Sequence, residues 1–261
     1  MTIITQTQNR VLRDAMHIAA QISDRARMNI DVAGIHIRAR DVYNTTMVWI
    51  EIPATALGAQ YPPKHFPDEI GIPSDKLYRM LNAYGAAATI EFHIQGIGDK
   101  WTKVSGTEGT LWTHHVELDH IFPIPTSSVP LRTHHPPVVS GVVSADHFRG
   151  WLRRVEYNET AISFRYEKGS GKFPIKTVSE HYCGLLPEIC VLSCPEVPED
   201  ADSIQSIISF DLLQDAVAPS CIDGDIKFAF GGDTPLYIST TVNGCDVEIV
   251  IAPRIDVGEY P

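Results

Sequence analysis

The sequence predicts an α+β fold made of two similar domains, each with helices on one side of antiparallel β-sheet. Two observations support this prediction. The order helix, strands, helix, strands occurs once in each half of the 261-residue chain. A stretch with five prolines, 117–137, lies between the halves, and proline favours extended backbone and donates no hydrogen bond within a sheet. We therefore predict domains at 1–117 and 137–261, joined by a connector at 118–136.

The first predicted helix spans 10–27, because its apolar residues recur at helical spacing along one face. This stripe consists of Val11, Ala15, Ile18, Ala19, Ile22 and Ala26. Arg10, Arg13 and His17 form a different stripe. Segments rich in β-forming residues follow the helix. They predict strands at 28–32, 35–40 and 47–52.

A proline-rich loop at 61–73 precedes the second predicted helix. Ser74 is expected to cap this helix, with Leu77, Leu81 and Tyr84 facing inward. Lys76 and Arg79 point elsewhere. Three more strands complete the first half, and they are predicted at 89–94, 101–104 and 110–116.

The second half repeats this order. A strand at 138–143 leads to a helix that Ser144 is expected to cap, and its inner face has the helical spacing of apolar residues. That face consists of Phe148, Trp151, Leu152 and Val155. Arg149, Arg153 and Arg154 lie on the other side of the helix. Strands are predicted at 161–166, 173–178, 189–192, 226–230, 236–242 and 247–251, with a short helix at 211–217 that carries Asp211 and Asp215.

Composition and charge narrow the class of function. The chain is 44% hydrophobic and 20% charged, which is typical of a soluble globular protein, and no apolar run is long enough to span a bilayer. The net charge is −11, and residues 195–261 hold thirteen acidic but only two basic residues. Such a chain is not expected to grip nucleic acid over its whole surface, although a local basic face is compatible with it. The N-terminus has no secretory signal pattern.

Motif analysis predicts no catalytic centre, metal or cofactor. The chain lacks a Walker loop and the nucleophile-elbow and zinc-protease motifs. Cys190 and Cys194 near His181 are not followed by a second ligand pair, and the two His-His pairs have no ligand spacing. The five cysteines show no disulfide framework, so we expect reduced thiols in a cytosolic compartment.

Several segments, taken in order, resemble one known family. Pro235-Leu236 and Ala252-Pro253-Arg254-Ile255 are similar to the end of proliferating cell nuclear antigen (PCNA), the sliding clamp of archaea and eukaryotes. Segments 12–30, 34–41, 71–74 and 116–119 resemble earlier parts of the same family, so the likeness is collinear and nearly end to end. Thr45, where the family has a more apolar residue, and the proline-rich connector indicate a divergent member of archaeal or archaeal-virus type.

The resemblance implies a DNA clamp fold that forms a ring. In the family, three subunits close head to tail around duplex DNA and tether DNA polymerase, the clamp loader and other replication and repair proteins that carry clamp-binding peptides. The resemblance thus implies a non-enzymatic homotrimeric processivity factor. It would act in the cytoplasm, associated with the nucleoid, in an archaeal or viral setting, or in the nucleus of a eukaryote.

The site residues follow from the basic stripes and from the resemblance together. Sequence-independent contacts to phosphates are expected on the basic helix faces. These DNA-binding candidates are Arg10, Arg13, Lys76, Arg79, Arg149, Arg153 and Arg154. The resemblance places a partner-peptide pocket at Asn44, Thr45, Met47, Leu118, Ile121, Phe122, Ile124, Pro235, Val250, Ala252 and Pro253. It places the subunit interface at Thr110, Leu111, Trp112, His114, Phe173, Ile175 and Thr177.

Other interpretations stay open from the sequence. Each arginine on an exposed helix face is equally compatible with a solvated surface. The connector is also compatible with a linker that is simply held on its own domain. The chain could instead be one subunit of a heterotrimeric or checkpoint-type clamp. A metal-dependent α+β enzyme that uses the histidines is a further alternative.

Overall fold

A computed structural model describes residues 2–57, 69–84, 89–97, 100–108, 112–117, 124–125, 128–155, 160–167, 175–177, 190–193 and 203–254. For 2–8, 89–97, 100–108, 112–117, 129, 167, 175–177 and 190–193 it describes the backbone alone. The chain divides into two compact units. Unit 1 comprises Met1–Thr126 and Thr241–Val247, and unit 2 comprises Ser127–Thr240 and Glu248–Pro261. Unit 1 is therefore discontinuous in sequence.

The described part of unit 1 contains two α-helices and two antiparallel groups of strands. Its elements are β1 (Thr2–Gln8), α1 (Asn9–Ile22), β2 (Arg25–Ile30), β3 (Gly34–Arg40), β4 (Thr46–Pro53), a 3-10 turn (Ala54–Ala56), β5 (Ile70–Pro73), α2 (Ser74–Asn82), β6 (Thr89–Ile97), β7 (Lys100–Glu108) and β8 (Trp112–Glu117). The strands pair in the orders β1-β6-β7-β8 and β4-β3-β2-β5. In the first group, β8 is an edge strand.

The core of unit 1 lies between α1 and the group formed by β2, β3 and β4. The α1 stripe of Val11, Ala15, Ile18, Ala19 and Ile22 is buried, as the helical spacing predicts. Asn9 joins the two helices, because its Nδ2 donates to the carbonyl oxygen of Leu81 at 2.8 Å. The inward side chains of the strands are buried, and each valine, isoleucine or methionine among them contributes roughly 1.5–3 kcal/mol by leaving water.

Among the residues that the structure describes, unit 2 has three helices and a second set of antiparallel strands. Its elements are α3 (Val129–His134), β9 (Val139–Ser144), α4 (Ala145–Leu152), β10 (Ala161–Glu167), β11 (Ile175–Thr177), β12 (Cys190–Ser193), β13 (Ser203–Ser209), α5 (Phe210–Val217), β14 (Asp225–Phe230) and β15 (Leu236–Val242). The last strand, β16 (Cys245–Ile251), is divided between the units after Val247. Strands pair in the orders β11-β10-β13 and β12-β9-β14-β15, which makes β11 an edge strand.

An aromatic cluster forms the core of unit 2. The ring of Phe164 on β10 packs against Phe228 and Phe230 on β14, with centroids 5.8 and 5.9 Å apart. Phe148, Trp151 and the other predicted inward residues of α4 are buried. The Ser144 side chain accepts a hydrogen bond from the backbone N–H of His147, so the predicted helix cap is confirmed. The α+β class is confirmed as well.

The first helix ends earlier than the sequence predicts. Residues 25–27 belong to β2, although the apolar stripe extends to Ala26. Ala26 is buried in either conformation, because Ala26, Met28 and Ile30 also alternate as a strand requires. Because β2 pairs through its backbone with both β3 and β5, residues 25–27 form a strand and not a helix.

Three further predictions around proline and serine are wrong. The end of the loop predicted at 61–73 is strand β5, whose edge position tolerates its proline. Ser74 does not cap α2, because its hydroxyl donates to the carbonyl oxygen of Ser23. Within the predicted extended connector, α3 is a helix, and Pro130 lies in its first turn, where no backbone N–H is needed. Strand β1 was not predicted.

Candidate nucleic-acid and partner interfaces

Four basic side chains lie on the helices of unit 1, and we name them the unit 1 basic face: Arg10, Arg13, Lys76 and Arg79. Arg10 is 52% exposed and Arg79 is 76% exposed, and Lys76 is exposed too. Arg79 pairs with Asp75 one turn away, with 2.9 Å between Nη2 and Oδ2. An exposed pair of this kind is weak, so the guanidinium remains available to a stronger anion.

Asp14 organises the two arginines of α1. Its side chain is only 5% exposed, and its Oδ1 accepts from Nε and Nη2 of Arg13 at 2.9 and 2.7 Å. Nε of Arg10 lies 3.7 Å from Oδ2. The same Oδ2 accepts from Nδ2 of Asn243 at 2.7 Å. The carboxylate thus fixes Arg13 more tightly than Arg10, and a turn from the far end of the sequence supports it.

His17 and Tyr78 join the polar faces of α1 and α2. Their rings stack with centroids 4.5 Å apart and an interplanar angle of 4°. Burial lowers the pKa of His17, an effect that Asp14 opposes and Arg13 reinforces. His17 therefore favours the neutral form, and the positive charge of this surface at neutral pH comes from the unit 1 basic face.

The helices of unit 2 carry a different pattern of charge. Arg149 is only 14% exposed, and its guanidinium donates to the carbonyl oxygens of Ile222 and Pro219 and to Asp146. Arg153 and Arg154 are exposed just beyond the end of α4. On α5, burial and the neighbouring Asp211 raise the pKa of Asp215. Of the three basic candidates in this unit, the structure thus leaves two open to solvent.

The unit 1 part of the predicted peptide pocket lies on a tightly bonded loop and on β4. Asn44 is exposed with a left-handed φ of 59°, Thr45 is half-buried and Met47 is half-buried. Asp41 holds this loop, because its Oδ1 accepts from the backbone N–H groups of Thr45 and Thr46 at 2.7 and 2.8 Å. The loop geometry is therefore set by its own hydrogen bonds.

The connector is fixed to unit 1 at residues 124–125. Ile124 is 4% exposed, and its carbonyl oxygen accepts from Nη1 of Arg27 at 3.3 Å. The carbonyl oxygen of Pro125 accepts from the indole nitrogen of Trp49 at 3.0 Å. Arg27 and Trp49 lie on β2 and β4, on positions that alternate with the core residues. This part of the connector therefore covers the side of the strands opposite α1.

In unit 2, Pro235 and Val250 are buried, whereas Ala252 and Pro253 are half-buried. Here the connector helix α3 is held by side chains. Glu248 accepts from Ser128 and from Nη2 of Arg132, the latter at 2.8 Å, and the Arg132 guanidinium lies 5.2 Å from the ring centroid of Tyr237. The other predicted pocket residues, Leu118, Ile121 and Phe122, lie outside the described residues.

The predicted subunit-interface strands are both at edges. Trp112 and His114 lie on β8, and Ile175 and Thr177 lie on β11. Among the described strands, β8 pairs with β7 and β11 pairs with β10, so each has a second side open to pairing. Thr110, Leu111 and Phe173 lie outside the described residues.

Sequence reasoning missed Asp14 and Asn243, which organise the unit 1 basic face. A sequence signal exists for each: Asp14 lies four residues after Arg10, and Asn243-Gly244 is a typical hairpin turn. In the part of the chain that the structure describes, no group of three or more His, Cys, Asp or Glu side chains could hold a metal ion. No described helix is long and apolar enough to cross a membrane.

Comparison with known proteins gives a likeness in structure alone. No protein-family model and no curated protein sequence matches the chain. A complex of the FEN-1 C-terminal region with A. fulgidus PCNA matches with a TM-score of 0.72 at 18% identity, covering 99% of this chain and 100% of that chain. A PCNA2–PCNA3 complex from Sulfolobus tokodaii matches with a TM-score of 0.74 at 14% identity, covering 97% of this chain and 99% of that chain.

A third solved structure, PCNA from Thermococcus kodakaraensis, matches with a TM-score of 0.72 at 17% identity, covering 97% of this chain and 100% of that chain. All three likenesses extend over nearly the whole chain. The chain therefore has the fold of the archaeal PCNA clamps, which confirms the predicted DNA clamp fold.

Proposed function

We propose that the chain is a subunit of a DNA sliding clamp, a ring that encircles duplex DNA and tethers DNA polymerase and other replication and repair proteins. The observation that carries this proposal is the end-to-end likeness in fold to three archaeal PCNA structures. In this proposal the chain binds and positions other molecules and carries out no reaction itself.

The unit 1 basic face, with Arg153 and Arg154 of unit 2, is proposed to contact DNA phosphates. These side chains lie on α1 and α2 or just beyond the end of α4, and phosphate contacts carry no sequence information. Arg149 has a smaller part, because its guanidinium is already bound to two carbonyl oxygens. The net charge of −11 would repel DNA from the rest of the surface and favour threading through the ring.

The edge strands β8 and β11 are proposed to close the ring. Each has an unpaired side among the described strands, and head-to-tail pairing of one chain's β8 with the next chain's β11 would satisfy both. A heterologous contact repeated with three-fold rotation gives a closed homotrimer. If this pairing does not occur, the predicted interface residues are wrong as well.

The predicted peptide pocket is proposed to receive short clamp-binding segments of partner proteins. One structural neighbour is a complex of PCNA with the C-terminal region of FEN-1, which supports this kind of partner. Thr45, which Asp41 holds by hydrogen bonds, and Met47 on β4 are half-buried and give such a segment a formed surface to bind. The place of action is the nucleoid, or the nucleus in a eukaryote.

A heteromeric clamp is the second candidate. It is favoured by one observation, the likeness to a complex of two different PCNA chains. Solution mass separates the two candidates. A homotrimer has a mass of about 87 kDa, three times 28.9 kDa, by light scattering. A chain of 28.9 kDa at every protein and salt concentration would reject the homotrimer and favour the heteromer.

Topological retention on DNA tests the function itself. A linear duplex is fixed to a bead at one end, the protein threads over the free end, and that end is then blocked with an antibody. A sliding ring resists a wash at molar salt only while both ends are blocked, and restriction cleavage releases it. Equal retention on open and blocked duplex would contradict a ring, because simple electrostatic binding is lost in salt irrespective of the ends.

A further inference from the structure

His17 and Tyr78 are stacked between α1 and α2, and neither is among the candidates for DNA, peptide or subunit contact. His17 comes one turn after Arg13 and two turns after Arg10, so it continues the line of bases along α1. Both rings are half-buried. A titratable side chain therefore lies next to the unit 1 basic face and is open in part to whatever binds there.

The α1 neighbours of His17 act on its charge in opposite directions. Burial lowers the pKa of the ring, the carboxylate of Asp14 opposes this effect, and the guanidinium of Arg13 adds to it. Asn243 contributes only an uncharged amide, which donates to Asp14. Strand β1, which also packs on α1, contains no titratable residue. His17 thus favours the neutral form in the free protein, although a nearby carboxylate supports the charged form.

The α2 neighbours of His17 permit either form. The Tyr78 ring lies parallel to the imidazole with 4.5 Å between the centroids, and a cation within about 6 Å of a tyrosine ring is attracted to it. Asp75 and Arg79, on either side of Tyr78 along the helix, are paired with each other, and Lys76 is exposed. The stack can therefore hold a protonated His17 where it holds the neutral ring.

Phosphates on the unit 1 basic face would change this balance. An anion within about 4–6 Å of a base favours the charged form of that base. Histidine changes its charge near neutral pH, whereas arginine and lysine stay positive there. A ligand that favours the protonated form binds more tightly as the pH falls, because binding and proton uptake are linked.

We propose that the binding of duplex DNA is coupled to proton uptake at His17, so that the unit 1 basic face binds DNA more tightly as the pH falls below neutrality. This names a regulation of the proposed DNA contacts and rests on the proposed function. The protonated ring adds one positive charge to the four of the unit 1 basic face. That charge is lost again as the pH rises, while the other four remain.

The test is the affinity for a short duplex, measured by fluorescence anisotropy at pH 8.0, 7.0 and 6.0 and constant salt. Uptake of one proton changes an affinity by at most about tenfold per pH unit. Wild type should therefore bind roughly three- to tenfold more tightly at pH 6.0 than at pH 8.0 for every subunit that contacts the duplex. His17→Gln should lose this rise and match wild type at pH 8.0, which also shows that the variant is folded.

Two further variants control for the site and the charge. His134→Gln removes an exposed histidine of α3, outside the DNA-binding candidates, and should keep the rise. His17→Lys carries a permanent charge, so it should bind at pH 8.0 about as tightly as wild type binds at pH 6.0. Calorimetry in two buffers of different ionisation enthalpy counts the protons directly, and His17→Gln should take up fewer than wild type.

Three results would overturn the proposal: a wild-type affinity that does not change with pH, a rise that His17→Gln retains, or a rise that His134→Gln loses as well. An absence of DNA binding at every pH would overturn it too. Retention on end-blocked DNA is measured in parallel. If wild type is retained but its affinity does not respond to pH, the clamp proposal stands and the coupling to His17 is wrong. If retention fails while affinity still rises through His17, the clamp proposal fails and the coupling stands.

Discussion

The helices of unit 1 and unit 2 both bury an apolar face, but their charged side chains differ between the units. On α1 and α2, basic side chains extend to solvent, and acidic residues one turn away or less hold them in place. On α4, the guanidinium of Arg149 turns back to backbone carbonyl oxygens, and α5 carries acids and no base. Apolar spacing repeats between the halves because both need a core, whereas the charged positions are free to differ.

This difference means that the two units should not contribute equally to DNA binding. The unit 1 basic face has three well-exposed bases and one that Asp14 fixes. Unit 2 offers Arg153 and Arg154, which follow the helix rather than lie along it. We expect unit 1 to make more of the phosphate contacts, and unit 2 to make fewer, through Arg153 and Arg154.

The largest effect should come from the unit 1 basic face. Replacing Arg10, Lys76 and Arg79 with Ala removes three exposed cations from each subunit, so the log–log slope of DNA affinity against salt should become shallower by roughly 3 for every subunit that contacts the duplex. Replacing Arg153 and Arg154 should change the slope by at most roughly 2 for every such subunit. Fluorescence anisotropy with a short duplex over a salt series measures both slopes.

The matched control is Lys227→Ala with Arg254→Ala, two exposed bases of unit 2 outside the helices. Its slope should equal that of wild type. If the unit 2 pair or this control reduced the slope as much as the unit 1 variant, the comparison between the units would be wrong.

Arg149→Ala should affect stability more than DNA binding. The substitution leaves the carbonyl oxygens of Ile222 and Pro219 without their charged donor, which should lower the free energy of unfolding by about 2–3 kcal/mol. Arg153→Ala should leave that free energy within about 0.5 kcal/mol of wild type. Urea denaturation measures both, and equal stabilities would show that the contacts of Arg149 are unimportant.

The turn at Asn243 should stabilise unit 1 by a smaller amount. Asn243→Gly keeps the left-handed backbone and removes the amide that donates to Asp14, so we expect a loss of about 1 kcal/mol in the free energy of unfolding. Asn243→Ala should lose about 1 kcal/mol more, because the φ of 51° at this position is costly for alanine, whereas glycine and asparagine tolerate it. Thermal and urea denaturation of the pair separates the amide from the backbone, and identical losses would refute the backbone effect.

The smallest effects are pH-dependent and have opposite signs in the two units. The pKa of His17 is lowered from 6.5. Its contribution to the free energy of unfolding is therefore fully present above pH 6.5 and is lost as the pH falls through the folded pKa. The pKa of Asp215 is raised from 3.8, so its ionised form destabilises the fold near neutrality and acid relieves this as the pH falls through the folded pKa.

Two variants isolate these contributions. His17→Gln should reduce the loss of unfolding free energy just below pH 6.5. Asp215→Asn should raise the free energy of unfolding at pH 7 by roughly 0.2–0.5 kcal/mol, since it removes the repulsion from Asp211 one turn away. Urea denaturation at pH 7.5, 6.0 and 5.0 measures both. A His17→Gln curve parallel to wild type would contradict the assignment to His17.

Most helices and strands could be predicted from the sequence, because burial on one face imposes a period. The stripe of α1, the inner face of α4 and the alternation in β3 and β14 are examples. The end of the first helix was wrong at Ala26, because this residue fits both the helical spacing of α1 and the alternation of β2. Proline misled in β5 and α3, since its effect depends on whether the position is a sheet edge or a first helical turn.

The candidate sites were less predictable, because long-range partners decide them. A period can place Arg149 on an outer face, but it cannot show that carbonyl oxygens 70 and 73 residues later bind its guanidinium. Asp14 looked like an ordinary acid on a helix, yet its amide partner comes from the last hairpin.

The distance in sequence between Asp14 and Asn243 also orders events during synthesis. Asp14 leaves the ribosome early, whereas the turn that completes its surroundings is made 229 residues later. After residue 126, a ribosome that adds 5–20 residues per second needs roughly 6–25 s to reach that turn. Throughout that interval the nascent first domain holds Asp14 without its amide donor. Unit 1 is therefore completed only after residues 127–240 of unit 2 have been made, and residues 248–261 of unit 2 follow it.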